Sequence, residues 1–145
     1  MIALLQRVTA AAVKVNGESV ARIDQGLLVL LGIEKGDDQA KADKLVHRML
    51  GYRVFEDPQG KMNLSLTDIA GQLLLVPQFT LAAETNRGMR PSFSSAATPD
   101  QGEYWFNEVA RQCEEGLGAV QLGQFAADMQ VELINDGPVT FWLQV

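Results

Sequence analysis

Gly26-Leu27-Leu28-Val29-Leu30-Leu31-Gly32-Ile33 is the longest apolar run in the chain. It is far too short to span a bilayer, which takes about 20 residues as a helix. It shows neither strict alternation nor a helical stripe. A short continuous run of this kind reads as a strand covered on both faces, so it marks the centre of a sheet. Upstream, Ile2 to Val8 and Ala11 to Val15 read as extended, with Val8, Val13 and Val15 as β formers. Asn16-Gly17 is a strong hairpin signal, and Glu18 to Ile23 returns from it toward the turn at Asp24-Gln25-Gly26. The chain therefore opens as a β-meander around its most apolar strand.

Downstream the period changes. Asp37 and Asp38 suit a helix start, where acidic groups face the positive end of the dipole. Ala42, Leu45, Val46, Met49 and Leu50 then keep three-four spacing up to Gly51. His47 falls beside that stripe and reads as a surface or boundary residue. Tyr52 to Phe55 is a short strand, followed by turn chemistry at Asp57-Pro58-Gln59-Gly60. Gln72 to Val76 is a second buried-type strand, which Pro77 ends or marks as an edge. Thr98-Pro99-Asp100-Gln101 is a helix start, with Thr98 as cap and Pro99 at the first position. Trp105, Phe106, Val109, Ala110 and Cys113 form its apolar stripe, and Gly116 and Gly118 stop it. Cys113 reads as a small core residue. Ala119 to Leu122 and Met129 to Ile134 are strands. Asn135-Asp136-Gly137-Pro138 then reads as a hairpin turn before a last alternating strand, Val139 to Val145. The other reading of that turn is a rigid Gly-Pro backbone projecting into a binding site. The order of elements predicts one α+β domain over residues 1–145, with two β-sheets packed in a barrel-like way and two main helices covering one side.

Composition narrows the chemistry. Apolar residues make up 47% and charged residues 21% of 145, ordinary values for a soluble domain. Arg7 and Lys14 interrupt the N-terminal region, which does not read as a signal peptide, so a cytoplasmic location and no membrane association are expected. A net charge of −6 argues against a broad nucleic-acid footprint. No Lys or Arg follows Arg111. Basic residues between Lys35 and Lys61 and at Arg87 and Arg90 are either a local basic surface or plain solvated charge. With one cysteine there is no intrachain disulfide, and one histidine and no CxxC pair leave few ligands for a metal site. No nucleophile elbow, P-loop or dinucleotide fingerprint is present. What remains is Gln78 and Thr80 directly after a buried strand, the backbone N–H groups around Phe79, and the Gly137-Pro138 backbone. Such a set can position a reactive bond and stabilise an oxyanion, which suits an activated ester better than an amide or phosphodiester.

Gln78-Phe79-Thr80-Leu81, Arg87-Gly88-Met89-Arg90-Pro91-Ser92-Phe93 and Asn135-Asp136-Gly137-Pro138-Val139-Thr140-Phe141 closely resemble the D-aminoacyl-tRNA deacylase family. Gly60-Lys61-Met62-Asn63-Leu64 and Phe125-Ala126-Ala127-Asp128-Met129-Gln130-Val131 match its pattern too. Each motif alone is weak; five in order, nearly end to end, are specific. The resemblance implies a cytoplasmic homodimer that hydrolyses the ester between a D-amino acid and its tRNA, with no metal or organic cofactor. It implies that Gly137-Pro138 is a cis pair entering the partner subunit's site, where its carbonyls exclude an L side chain; glycyl-tRNA, with nothing to exclude, should then also be cleaved. Gln78, Phe79 and Thr80 would form the catalytic pocket, and Phe125 and Met129 would pack the terminal adenine, or else be core. Thr80 has been viewed in the family as a nucleophile, yet no base here activates it, so water helped by the tRNA's ribose hydroxyl fits better. The family usually has Ser where this chain has Pro77, so any role of that serine is lost. The roles of Arg87 and Arg90 stay open between holding their loop and contacting phosphate. The competing readings are a non-catalytic module that binds a tRNA end or an amino acid, with Pro77 as the mark of lost catalysis, and a purely structural dimer.

Overall fold

The computed structural model describes residues 1–145. Its elements are β1 (Ile2–Val15), β2 (Glu18–Ile23), β3 (Gly26–Gly32), α1 (Gln39–Gly51), β4 (Phe55–Glu56), β5 (Met62–Leu64), β6 (Gln72–Pro77), a 3-10 turn (Phe79–Ala82), α2 (Pro99–Leu117), β7 (Gln121–Leu122) and β8 (Gln130–Gln144). The α+β class holds. No helix is long and apolar enough to cross a membrane.

The expected pair of packed sheets is one curled, nearly closed mixed sheet plus the small β4–β5 ladder. The reason lies in β1. Along one edge it pairs first with β3 (Ile2↔Gly32 to Val8↔Gly26) and then with β2 (Ala11↔Ile23 to Val15↔Glu18). Along its other edge it pairs with β8 from Ile2↔Gln144 to Lys14↔Gln130. Ala3 and Leu5 join the core under the helices, whereas Val8, Ala11 and Val13 join a second cluster with Ile23, Leu28 and Leu74. One bent strand thus serves two cores, and its far half folds over the back of the sheet.

β3 and β6 lie side by side, parallel, at the centre. Leu27, Val29 and Leu31, with Leu73 and Leu75, face α1 and α2; Leu28, Leu74 and Val76 face the other cluster. That double burial is why Leu27 to Leu31 and Leu73 to Val76 are apolar at every position. Gly26 lets them close up: a Cβ there would sit 1.8 Å from the carbonyl oxygen of Gln72. Thr98 caps α2, accepting from Gln101 N–H, and Gly118 ends it with φ of 85°. Asp38 caps α1, accepting from Lys41 N–H at 2.9 Å.

Asp37 does something else. Its side chain is fully buried and accepts from the Met1 ammonium at 2.8 Å and from Glu34 N–H at 2.7 Å. Glu34 is 2.6 Å from the same ammonium. Burial alone would push the Glu34 carboxyl up, but the Met1 ammonium, by hydrogen bond and by charge, with Gln144 and Lys41, holds it below the ordinary 4.5. The stability linked to this carboxylate is therefore fully present above its unfolded value and lost as pH falls through the lower folded one. Asp37→Asn leaves a buried ammonium short of a charge partner. It is expected to cost about 3 kcal/mol and to move the acid unfolding midpoint upward, both read from denaturant melts at neutral and acidic pH.

Candidate active site

The C-terminal ends of parallel strands are where α/β sheets usually offer a crevice. β6 ends at Pro77, and Pro77 lacks the N–H that the ladder would use next. The following N–H, from Gln78, donates to Leu31 O at 2.8 Å and fixes the exit of the chain. The chain then winds into the 3-10 turn, whose leading N–H groups, at Phe79 and Thr80, have no carbonyl within the turn to bond.

A cavity of about 530 Å³ opens here. Pro77, Gln78 and Phe79 form one wall, Thr98, Pro99, Gly102 and Phe106 of α2 a second, and Phe125, Ala126 and Met129 a third. Gln78 is half-buried, while Phe79 is 61% exposed at the mouth and packs on Phe93, with ring centroids 5.2 Å apart. Thr80 is exposed, and its Oγ1 accepts a short hydrogen bond from Gln78 Nε2. Phe125 packs on Phe106 at 6.4 Å and lies over Gly102, where an added Cβ would be 3.5 Å from its ring. Met129 Sδ accepts from Gln124 N–H at 3.3 Å. Phe125 and Met129 are thus both partly core and partly cavity wall.

No lining residue has a titratable side chain. His47 is exposed on α1, as its sequence position suggested. Cys113 is fully buried, and burial pushes its thiol up to about 12, so it supplies no thiolate. The cavity offers amide dipoles, a hydroxyl and apolar walls.

Gly137 and Pro138 lie elsewhere. The expected hairpin turn is an outward bulge within β8, whose two arms pair with the same strand: Asn135 opposes Val8 and Thr140 opposes Gln6. Four residues, Asp136 to Val139, are looped out against a single residue of β1, and the Gly137–Pro138 bond is cis. Arg7, almost buried, anchors the loop from beneath. Its Nε donates to Asp136 O at 3.1 Å and its Nη1 to Val54 O at 2.8 Å. Asn135 Nδ2 donates across the neck to Arg7 O and Val139 O, both at 3.0 Å. Gly137 has φ of 124°, open only to glycine in practice. Both residues are exposed and absent from the cavity of their own chain.

The structure therefore brings Gln78, Phe79, Phe125 and Met129 together, with Thr80 held to Gln78, and leaves Gly137 and Pro138 apart. Sequence reasoning missed Arg7 and the α2 wall. A signal for the latter existed: Gly102 inside a well-capped helix marks close packing.

The chain matches the D-Tyr-tRNA(Tyr) deacylase family over residues 4–144. It is 58% identical, over 145 residues and the full length of both chains, to proteins of Escherichia coli and Shigella boydii, each named D-aminoacyl-tRNA deacylase. A solved structure of a c-Myc DNA unwinding element binding protein superposes with a TM-score of 0.96 at 39% identity, covering 100% of this chain and 99% of that one. A probable eukaryotic D-amino acid tRNA deacylase shares the fold, with a TM-score of 0.81 at 17% identity over 99% of this chain and 98% of that one. The chain belongs to the D-Tyr-tRNA(Tyr) deacylase family and is an enzyme of the hydrolase class.

Proposed function

We propose that this protein hydrolyses the ester joining a D-amino acid to the 3′ end of tRNA, releasing the free amino acid and tRNA, and that it works by positioning rather than by ionisable groups. The supporting observation is a cavity with Gln78, Phe79 and Thr80 at a rigid strand end and no titratable side chain in its lining. An aminoacyl ester is reactive enough for such a site. The terminal adenosine packs against Phe125 and Met129. The ester carbonyl accepts from the N–H groups at Phe79 and Thr80, and each well-aimed oxyanion donor is worth about 3–4 kcal/mol. Water, aided by the tRNA's own ribose hydroxyl, adds to the carbonyl carbon. The ester C–O bond then breaks, and the ribose oxygen takes up the proton. Thr80 is not the nucleophile in this reading: its oxygen accepts from an amide, and no base is at hand to take its proton.

Selection rests on a second copy of the chain, whose Gly137-Pro138 bulge enters the cavity and sets backbone carbonyls close to the substrate Cα. A side chain of L configuration meets them, while one of D configuration points away. Glycyl-tRNA passes for want of a side chain. The bulge suits this role because it is exposed, stiffened by Arg7 and Asn135, and remote from the cavity of its own chain.

Single-turnover assay of D-Tyr-tRNA tests the reading. Wild type should release tyrosine, and Thr80→Val should keep turnover within about tenfold, the scale of one lost neutral hydrogen bond. Complete loss in Thr80→Val, with a trapped acyl-enzyme in wild type, restores the threonine nucleophile. If wild type binds the tRNA end without releasing tyrosine, the non-catalytic binding module takes its place.

A further inference from the structure

We infer that the loop from Glu84 to Ser92 is an RNA-backbone clamp, with Arg87 and Arg90 contacting phosphates of the single-stranded end whose terminal nucleoside occupies the cavity; this rests on the reading above.

The loop is built, not loose. Its neck is closed by a reciprocal pair of backbone bonds, Glu84 N–H to Ser92 O at 2.8 Å and Ser92 N–H to Glu84 O at 3.1 Å. Gly88, at φ of 69°, turns the tip. Its stem is stitched to the segment carrying exposed Lys35, whose N–H donates to Ser95 O at 2.9 Å. The Phe93–Phe79 ring pair ties it to the mouth of the cavity. Arg90 stands three residues from Phe93, at most about 10 Å of chain, before its own long side chain is counted. A nucleic-acid strand leaving the cavity past Phe79 is therefore within about that reach of Arg90.

The charges at the tip are uncommitted. Arg7 and Arg111 have carboxylate partners, whereas the guanidinium groups of Arg87 and Arg90 have neither an ion pair nor a hydrogen bond. The one acidic side chain between Leu81 and Thr98 is Glu84, and it is occupied by Asn86 N–H at 2.7 Å. Two free cations at a site mouth, on a chain of net charge −6, are a local departure from the global field. Guanidinium groups match phosphate oxygens bidentately. Met89, 99% exposed between them, supplies an apolar surface for a base or ribose.

The test is equilibrium binding of uncharged tRNA across a salt series, with hydrolysis of D-Tyr-tRNA and of the minimal ester D-tyrosyl-adenosine measured alongside. The variants are Arg87→Ala/Arg90→Ala and Arg87→Lys/Arg90→Lys. The alanine pair should bind roughly tenfold more weakly and lose about 1.4 from the slope of log affinity against log salt, two single-strand phosphate contacts. It should cleave D-tyrosyl-adenosine as wild type does. The lysine pair should keep most of the slope. An unchanged slope in the alanine pair, beside active wild type, overturns the clamp and leaves the catalytic reading standing. Equal losses on the minimal ester, or a lysine pair as impaired as the alanine pair, show a structural loop and also overturn it. Wild type that binds through these arginines but cleaves nothing keeps the clamp and removes the catalytic reading.

Discussion

D-Tyr-tRNA should be cleaved about 10³-fold or more faster than L-Tyr-tRNA in single turnover, a difference of about 4 kcal/mol between the two transition states. The size follows from the kind of selection proposed above. Attraction for a D side chain would be weak, because the lining is mostly apolar, with Gln78 and Thr98 its only polar side chains, and neither carries a charge. Exclusion by backbone, as proposed, would be stiff, because the Gly137-Pro138 loop is held at its base by Arg7 and at its neck by Asn135. Gly137→Ala probes the same point. Its Cβ would sit 2.7 Å from Val139 Cγ2 and 3.1 Å from the Arg7 guanidinium, at a φ that alanine resists. The loop must shift, and the D-to-L ratio should fall by at least tenfold. Equal cleavage of D and L esters by wild type would end the exclusion argument while leaving the hydrolase reading intact.

Arg7→Ala should be among the most damaging changes outside the cavity. It removes the donors to Val54 O and Asp136 O and the charge near Asp136, whose carboxylate lies 3.5 Å from Nε. Two carbonyls lose a charged donor, each worth about 1.5–3 kcal/mol, discounted at the exposed Asp136 end. A total of about 3 kcal/mol lowers the thermal midpoint by about 10 °C in a chain of this size. Arg7→Lys should recover little of it, since one ammonium cannot span both carbonyls. A melt within 2 °C of wild type, roughly the shift for under 1 kcal/mol, would show that the bulge keeps its shape without this anchor.

Local chemistry made much of this molecule readable. The two apolar runs gave themselves away as central strands because each is buried on both faces, and Thr98, Asp38 and Gly118 cap helices where their types suggest. Gln78 and Phe79 stood out because they follow a buried strand directly. The failures share one cause, which is distance along the chain. Asn135-Asp136-Gly137-Pro138 has the composition of a reversal, and composition does not distinguish a reversal from an outward loop. The outcome was decided by β1, which is long enough to pair with both arms of β8. Arg7 looked like an interruption of an apolar run, and its partners lie 47 and 129 positions away. Asp37 looked like a second helix cap, and its partner is the ammonium 36 positions upstream. Nothing near these residues in sequence announces such contacts.

The pairing of β1 with β8 also bears on how the chain comes to be folded during synthesis. An early strand, Ile2–Val15, receives along one whole edge a much later one, Gln130–Gln144. Until Gln130–Gln144 has left the ribosome, β2 and β3 can pair with β1, and β6 with β3, yet that edge stays bare over some fourteen residues. An uncovered strand edge invites pairing with another chain, and late closure of long-range ladders is slow. For this protein the vulnerable interval is therefore the time before Gln130–Gln144 can pair, when the rest of the sheet is nearly complete and the free edge of β1 still awaits β8.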